Sequence, residues 1–284
     1  MPVFHFLRGE GMNVALGVTY SAAAAAFDEV ASSYDEQFTH SAIGRVQRAQ
    51  VQSRLLATFW PGSRILELNC GTGEDARFLA KRGRSVVACD ASAAMISLAK
   101  SRRPDESMRG SVEYLQVANE YLDLLAVKKP FDGAFSNFSG LNCVADLEPV
   151  ARSLANLIRP RGRVLLCVWS RMCVVELLWY LLRGQPTKAV RRLFRKSSAR
   201  LGQRTIPVFY PSVGEVRRCF APWFRFSSRR AIGLFVPPSY LDGAISKHNK
   251  ILKRLESLDR QFAKWPVLRD AGDHVLLEFV RCNP

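Results

Sequence analysis

Between Arg64 and Trp169 short apolar runs alternate with helix-forming stretches, and no other feature limits the possible folds as much. Arg64 to Leu68 (RILEL) reads as a strand, followed by a Gly-bearing turn and a helix from Glu74 to Arg82. Ser85 to Cys89 is a second strand, Ser92 to Ser101 a helix, Val112 to Val117 a third strand and Phe131 to Ser136 a fourth. Leu147 to Ile158 reads as a helix stopped by Pro160-Arg161-Gly162, and Arg163 to Trp169 as a fifth strand. Strands apolar on both faces and separated by helices imply a parallel sheet covered on both sides, an α/β fold. With 284 residues, 48% of them hydrophobic, the chain can bury such a core.

The flanks follow other rhythms. Residues 20 to 60 read as two helices, the second from Ala42 to Phe59, ended by Pro61-Gly62. After Ser170 the pattern predicts an apolar helix at Val174 to Leu182, a basic amphipathic helix at Lys188 to Leu201 that fits a membrane surface, and an extended Thr205 to Tyr210. A helix at Val213 to Phe220 capped by Ser212, strands at Trp223 to Phe235 and His274 to Arg281, and a helix at Lys250 to Phe262 complete the expectation.

Several classes are set aside. The apolar run Cys173 to Leu182 is about half a membrane span. Met1 to Gly17 lacks a continuous apolar signal region, and Met12 is a second candidate start. Seven cysteines without a CxxC pair read as reduced thiols in a cytoplasmic protein, and with four scattered histidines they predict no metal site. The net charge of +16 is concentrated: residues 181 to 230 hold thirteen Lys/Arg against Glu215 alone. That region reads either as a solvated face or as a docking surface for a membrane or nucleic acid.

The chemistry-bearing stretch is Glu67-Leu68-Asn69-Cys70-Gly71-Thr72-Gly73-Glu74-Asp75. Gly71 and Gly73 lie between a strand and a helix, where the absence of side chains lets a ligand reach backbone N–H groups. Asp90 ends the second strand, 17 residues after Gly73, placed to accept ribose hydroxyls beside the first loop. Together these predict a nucleoside site. No third glycine follows at the spacing a dinucleotide needs, and Glu74 and Asp75 at the helix start would repel a pyrophosphate and suit a cationic ligand.

At these residues the chain resembles the class I S-adenosylmethionine-dependent methyltransferases, in their small-molecule branch of methyltransferase types 11 and 25, over residues 27 to 170. Glu67 to Gly73 is similar to the glycine-rich first motif, Cys89-Asp90-Ala91-Ser92 to the second and Phe131 to Asn137 to the fourth. The turn Leu157 to Arg163 resembles the one entering the fifth strand.

The resemblance implies a Rossmann-like, seven-stranded, mostly parallel sheet with helices on both faces, whose last two strands form an antiparallel edge. It implies S-adenosyl-L-methionine as cofactor, bound around Glu67, Asn69, Cys70, Gly71 and Gly73 at its methionine part. Asp90 would hold the ribose, Ala91 and Met95 would flank the adenine, and Ala118 and Asn119 would lie near its amino group. Ser136, Asn137 and Phe138 would face the sulfonium, and Tyr34 and Arg48 would close over the cofactor. Asn69 replaces the first motif glycine but tolerates a positive φ. The acid common after the third strand is absent at Ala118 and Asn119.

The implied organisation is an N-terminal helical cap (1–60), a cofactor-binding core (61–170), a lid that selects the substrate and includes part of the edge hairpin (171–245), and a C-terminal helix and last strand completing the core sheet (246–284). Trp179, Tyr180, Phe209, Tyr210, Trp223, Phe224, Phe226 and Phe235 read as walls of a hydrophobic acceptor pocket or as the core of that lid. Methyl transfer from a sulfonium needs alignment and desolvation more than acid catalysis. His40, Tyr210, Glu176 and His248 are candidate bases, none of them assigned. The expected reaction is methylation of a small apolar or aromatic metabolite. Two other readings remain open: an anionic or interfacial acceptor such as phospholipid or RNA on 181–230, or a silent cofactor-binding protein.

Overall fold

The computed structural model describes residues 21–103, 105–125, 129–245 and 249–283; the side chains of 244 and 245 are not among them. The N-terminal run to Gly17, both candidate starts and His248 lie outside. Helices α1 (Ala22–Tyr34) and α2 (Ala42–Thr58), joined by a π turn at Asp35–Thr39, precede the sheet. Strands β1 (Arg64–Leu68), β2 (Ser85–Asp90), β3 (Ser111–Gln116), β4 (Phe131–Ser136) and β5 (Ile158–Trp169) alternate with α3 (Glu74–Ala80), α4 (Ala93–Ser101) and α5 (Glu148–Leu157). The remainder comprises α6 (Val174–Leu182), the single turn α7 (Pro186–Ala189), β6 (Lys196–Leu201), β7 (Arg204–Phe209), α8 (Val213–Phe220), β8 (Phe224–Ile232), α9 (Asp242–Ile245), α10 (Asn249–Phe262) and β9 (His274–Arg281).

The main sheet has seven strands in the order β3-β2-β1-β4-β5-β9-β8. β1 to β5 run parallel, and β9 pairs antiparallel with both β5 and β8. The order reverses between β1 and β4, which opens a crevice at their carboxyl ends, where open α/β sheets bind ligands. One face buries Leu66, Phe131, Leu154, Val164 and Phe279, and the other Val51, Leu55, Ile65, Leu79 and Leu165.

The sequence expectation fails at one element. Lys188 to Leu201 is not a basic amphipathic helix: α7 is followed by a 3-10 turn at Arg191–Leu193, and β6 then forms a separate two-stranded hairpin with β7. Gly202, at φ 59°, makes the turn. Val190, Leu193, Phe194 and Leu201 recur at the helical spacing behind that expectation, but they lie in a turn and a strand. Arg192 is buried at 4% exposure between Glu176 and Asp273, where a continuous surface helix would not put it. The other boundaries shift by a few residues, most at β5, which begins at Ile158. Within 171–245, β8 pairs with β9 as the expected edge strand, and α8 lies in the layer covering the main sheet: Val216, Phe220 and Phe224 are core residues.

Candidate functional site

The loop after β1 is shaped by positive φ angles at Asn69 (55°), Gly71 (53°) and Gly73 (77°). Asn69 takes the left-handed conformation that the asparagine was expected to tolerate. Its neighbours explain the two glycines differently. A Cβ on Gly71 would meet nothing nearer than the Tyr34 ring at 3.9 Å, so its backbone is open to a cavity. A Cβ on Gly73 would lie 2.5 Å from the Tyr114 hydroxyl, so that glycine makes room for a tyrosine and not for a ligand. The loop is held by Cys70 N–H donating to Cys89 C=O at 2.9 Å. On its outer side Thr72 Oγ1 donates to Asp35 at 2.6 Å, tying the N-terminal helices to it.

Asp90 stands where β2 ends. One carboxylate oxygen accepts from Gly71 N–H and the other from Ser92 N–H, both at 2.9 Å. Burial pushes this carboxyl above the ordinary Asp range, with the two N–H groups opposing. Each oxygen keeps acceptor capacity toward the cavity beside it. That cavity, roughly 700 Å³ counting its solvent-open part, is lined by Tyr34, Asn69, Gly71, Asp90, Ala91, Met95, Asn119, Asn137 and Phe138 among the expected residues. Asp28 fastens α1 over it by accepting from Ser92 Oγ (2.5 Å) and Ala94 N–H (3.0 Å).

A smaller adjoining cavity is walled by Arg48, Glu67, Asn69, Cys70, Thr72 and Asp75. Arg48 donates to Asp75 at 2.5 Å, and its guanidinium stacks over Phe138 (4.9 Å) and Phe38 (5.4 Å). Gln52 and Asn137 complete the shell around Asp75, each at 2.8 Å. Burial works against the Arg48 charge, but Asp75 together with Tyr34, Glu74 and Glu67 raises the arginine above its usual value. Asp75 is therefore neutralised and presents no free anion, contrary to its expected part in favouring a cationic ligand. Glu67 is buried, with one oxygen lacking a hydrogen-bond partner among the described residues. Burial, reinforced by Asp75, holds it well above the carboxylate range despite Arg48.

Three expected residues line neither cavity. Gly73 faces Tyr114; Ala118 precedes the 3-10 turn at Asn119–Leu124; and Ser136 donates from Oγ to Asn69 Oδ1 at 3.1 Å, acting on the loop from behind. The sequence reading missed Glu120, the acid after β3, which lines the cavity one position beyond Asn119. It also missed the apolar wall of Ala23, Ala24, Phe27, Cys143 and Val144. The signal for Glu120 was present as an acid shifted by one residue; the wall required knowing that α1 crosses the site.

Phe138 and Ser139 adopt φ of 47° and 69°, a conformation costing ~1–3 kcal/mol per residue. The turn is held by Ser139 N–H donating to Cys167 C=O at 3.1 Å, and it aims the Phe138 ring at the cavity.

None of the eight aromatics expected in an acceptor pocket lines either cavity; Phe224 is core, and Tyr210 stacks on Trp169 at 5.7 Å. Among the candidate bases, His40 is exposed, and Tyr210 is buried with its phenol raised. Glu176 is ion-paired to Arg191 at 2.8 Å and to Arg192. Cys173, Glu176 and Asp273 cluster closely enough to suggest a metal, but Arg192 already occupies their midst and pairs with both carboxylates.

A family model described as a methyltransferase domain matches residues 65–162, the span from β1 to the start of β5. A demethylmenaquinone methyltransferase of Thermobifida fusca is 29% identical over 154 residues, 54% of this chain and 64% of its own length. The chain thus spans less than two thirds of that relative. One of the same description from Mycobacterium marinum is 30% identical over 170 residues, covering 58% of this chain and 69% of its own. The solved structure of a DhpI–SAH complex superposes with a TM-score of 0.54 at 19% identity, covering 93% of this chain and 96% of its own. The strand order, the glycine loop beneath Asp90 and these matches agree, and the chain belongs to the class I S-adenosylmethionine-dependent methyltransferases.

Proposed function

We propose that this chain moves a methyl group from S-adenosylmethionine to a small apolar, aromatic acceptor of the quinol type. The observation carrying this reading is the pairing of a nucleoside-type end with an amino-acid-type end in one continuous site. Asp90, at the first, would accept two ribose hydroxyls, with Ala91 and Met95 lining the space for the base and Asn119 and Glu120 the space for its exocyclic amine. At the second, the buried Glu67 carboxyl and the Arg48 guanidinium share a wall, an acceptor beside a donor, as the two ends of a zwitterion require. The unpartnered Glu67 oxygen would accept from its ammonium group.

When bound, S-adenosylmethionine supplies an activated methyl group on a sulfonium that departs as a neutral thioether. The chain's own residues then have three tasks. Asn69, Gly71 and Asp90 hold the nucleoside end and set the line of approach. Phe138, fixed by its strained turn, and Tyr34 exclude water from the reacting centre. Ala23, Ala24, Phe27, Cys143 and Val144 seat the acceptor ring on an apolar wall. The β6–β7 hairpin supports that wall, since Ile206, Val208 and Tyr210 pack on Ala26 of α1. The acceptor class rests on the wall and on the description of the curated relatives as demethylmenaquinone methyltransferases.

Calorimetric titration with S-adenosylmethionine, S-adenosylhomocysteine and NAD tests the cofactor assignment. Micromolar binding of the two sulfur nucleosides and none of NAD is expected; the reverse preference would overturn it. Incubation with labelled methyl donor and a demethylated naphthoquinol then tests the acceptor class through label recovered in the organic phase.

A further inference from the structure

α6 is built inside out for a helix in water. Its sequence VVELLWYLL contains one charged residue, Glu176, and Glu176 is the helix's buried residue at 1% exposure. Leu178 (53%), Leu181 (48%) and Leu182 (87%) face outward instead. Met172 before the helix and Leu193 and Phe194 after it are also exposed large apolar side chains. Ion pairs hold the inversion in place: Arg191 and Arg192 reach Glu176 from the following segment, and Arg192 goes on to Asp273. The N-terminus of the helix is anchored by Val174 N–H donating to Ala271 C=O at 3.1 Å.

The surroundings are cationic. From Met172 to Tyr210 there are eight Lys/Arg and a single acid, the buried Glu176; Arg191, Arg192, Arg195 and Arg204 pair with acids, and Arg183, Lys188, Lys196 and Arg200 do not among the described residues. Arg183 lies over the Trp179 ring at 3.9 Å and Lys188 over Tyr180 at 5.8 Å, so both charges border the apolar face. Neither has an acid within ion-pair distance among the described residues. Apolar side chains bordered by an unpaired arginine and lysine match the boundary of an anionic bilayer, with hydrocarbon for the leucines and phosphate for the cations. The place in the fold is apt as well. β1, β2, β4 and β5 end on the side where the cavity opens, and only Ser170–Cys173 separates the end of β5 from α6.

We propose that α6, with Leu193 and Phe194, is a membrane-docking surface that inserts shallowly into an anionic lipid leaflet and brings the mouth of the site to the bilayer. This rests on the proposed methyl transfer only for its purpose, since lipid binding is read without turnover. The test is co-sedimentation of the full chain with vesicles of phosphatidylcholine, with and without phosphatidylglycerol. Binding that requires the anionic lipid is expected. L181E/L182E, both outward-facing, should weaken it roughly tenfold or more while cofactor titration and circular dichroism stay unchanged. R183E/K188E should remove the preference for anionic lipid. Absence of sedimentation with anionic vesicles, or equal sedimentation of L181E/L182E and wild type, overturns the proposal. A dimer abolished by L181E/L182E, without vesicle binding, assigns the face to a second copy instead. Loss of cofactor binding with intact vesicle binding would count against the proposed function and leave the docking surface standing.

Discussion

Asp90 performs two tasks with one carboxylate, capping the backbone of Gly71 and Ser92 while turning its remaining acceptor capacity to the cavity. Asp90→Ala is expected to weaken S-adenosylhomocysteine binding by roughly ten- to a hundredfold, the worth of charged hydrogen bonds at ~1.5–3 kcal/mol, with the circular dichroism spectrum retained. Unchanged affinity by calorimetry would remove the ribose assignment. Glu67 has the opposite character, a buried acid whose ionisation disfavours folding. Its folded-state value lies above the unfolded one, so the native chain binds the proton more readily between the two, and stability falls as pH rises through that window. Glu67→Gln should remove this decline, melting higher than wild type at pH 8 by a margin that shrinks toward pH 4.5, while binding the amino-acid end of the cofactor less well. Parallel melting curves for both proteins across pH would refute it. At this scale the sequence was informative where preference is local: Asn69 and Gly71 announce positive φ by their residue type. It was misleading at Gly73, whose neighbour Tyr114 arrives from β3, 41 residues along the chain.

Among the elements, the segment after α6 separates local pattern from outcome. A helix over 188–201 satisfied periodicity, yet Arg192 binds Glu176 on α6 and Asp273 ahead of β9, and β6 pairs with β7. The Arg192–Asp273 pair spans 81 residues, and with the nearer contacts it outweighs a modest helical preference. Arg192 loses hydration on burial, but Asp273 and Glu176 hold it charged, well above its ordinary range. Arg192→Ala would leave buried Glu176 with Arg191 alone and buried Asp273 with no arginine, and a loss of ~3–5 kcal/mol is expected in urea denaturation. A loss under ~1 kcal/mol would mean that water reaches the cluster. By contrast, α8 was readable to its capping box: Ser212 accepts from Glu215 N–H at 3.2 Å, and the Glu215 carboxylate accepts from Ser212 N–H at 2.7 Å.

For the whole molecule, the seven cysteines are free thiols, four of them buried. Burial raises Cys89, Cys167 and Cys173 to about 12 and Cys143 to about 11, values at which thiolate is scarce. Under native conditions a thiol-specific disulfide reagent should therefore modify at most Cys143, Cys219 and Cys282, and denaturant should release the other four. Rapid native labelling of all seven would contradict the packing. Among the described residues no helix is long and apolar enough to cross a membrane.

The sequence by itself determined the alternating parallel sheet, the glycine turn and the acid ending β2, because strand periodicity, turn conformation and motif spacing act over a few residues. Only the tertiary structure decided that Asp75 is neutralised by Arg48 and that Glu120 reaches the cavity. Likewise, it alone showed that the predicted pocket aromatics lie outside both cavities and that the single acid of α6 faces inward. Each of these depends on which distant segments meet, and burial and charge pairing between them are set by the folded chain as a whole.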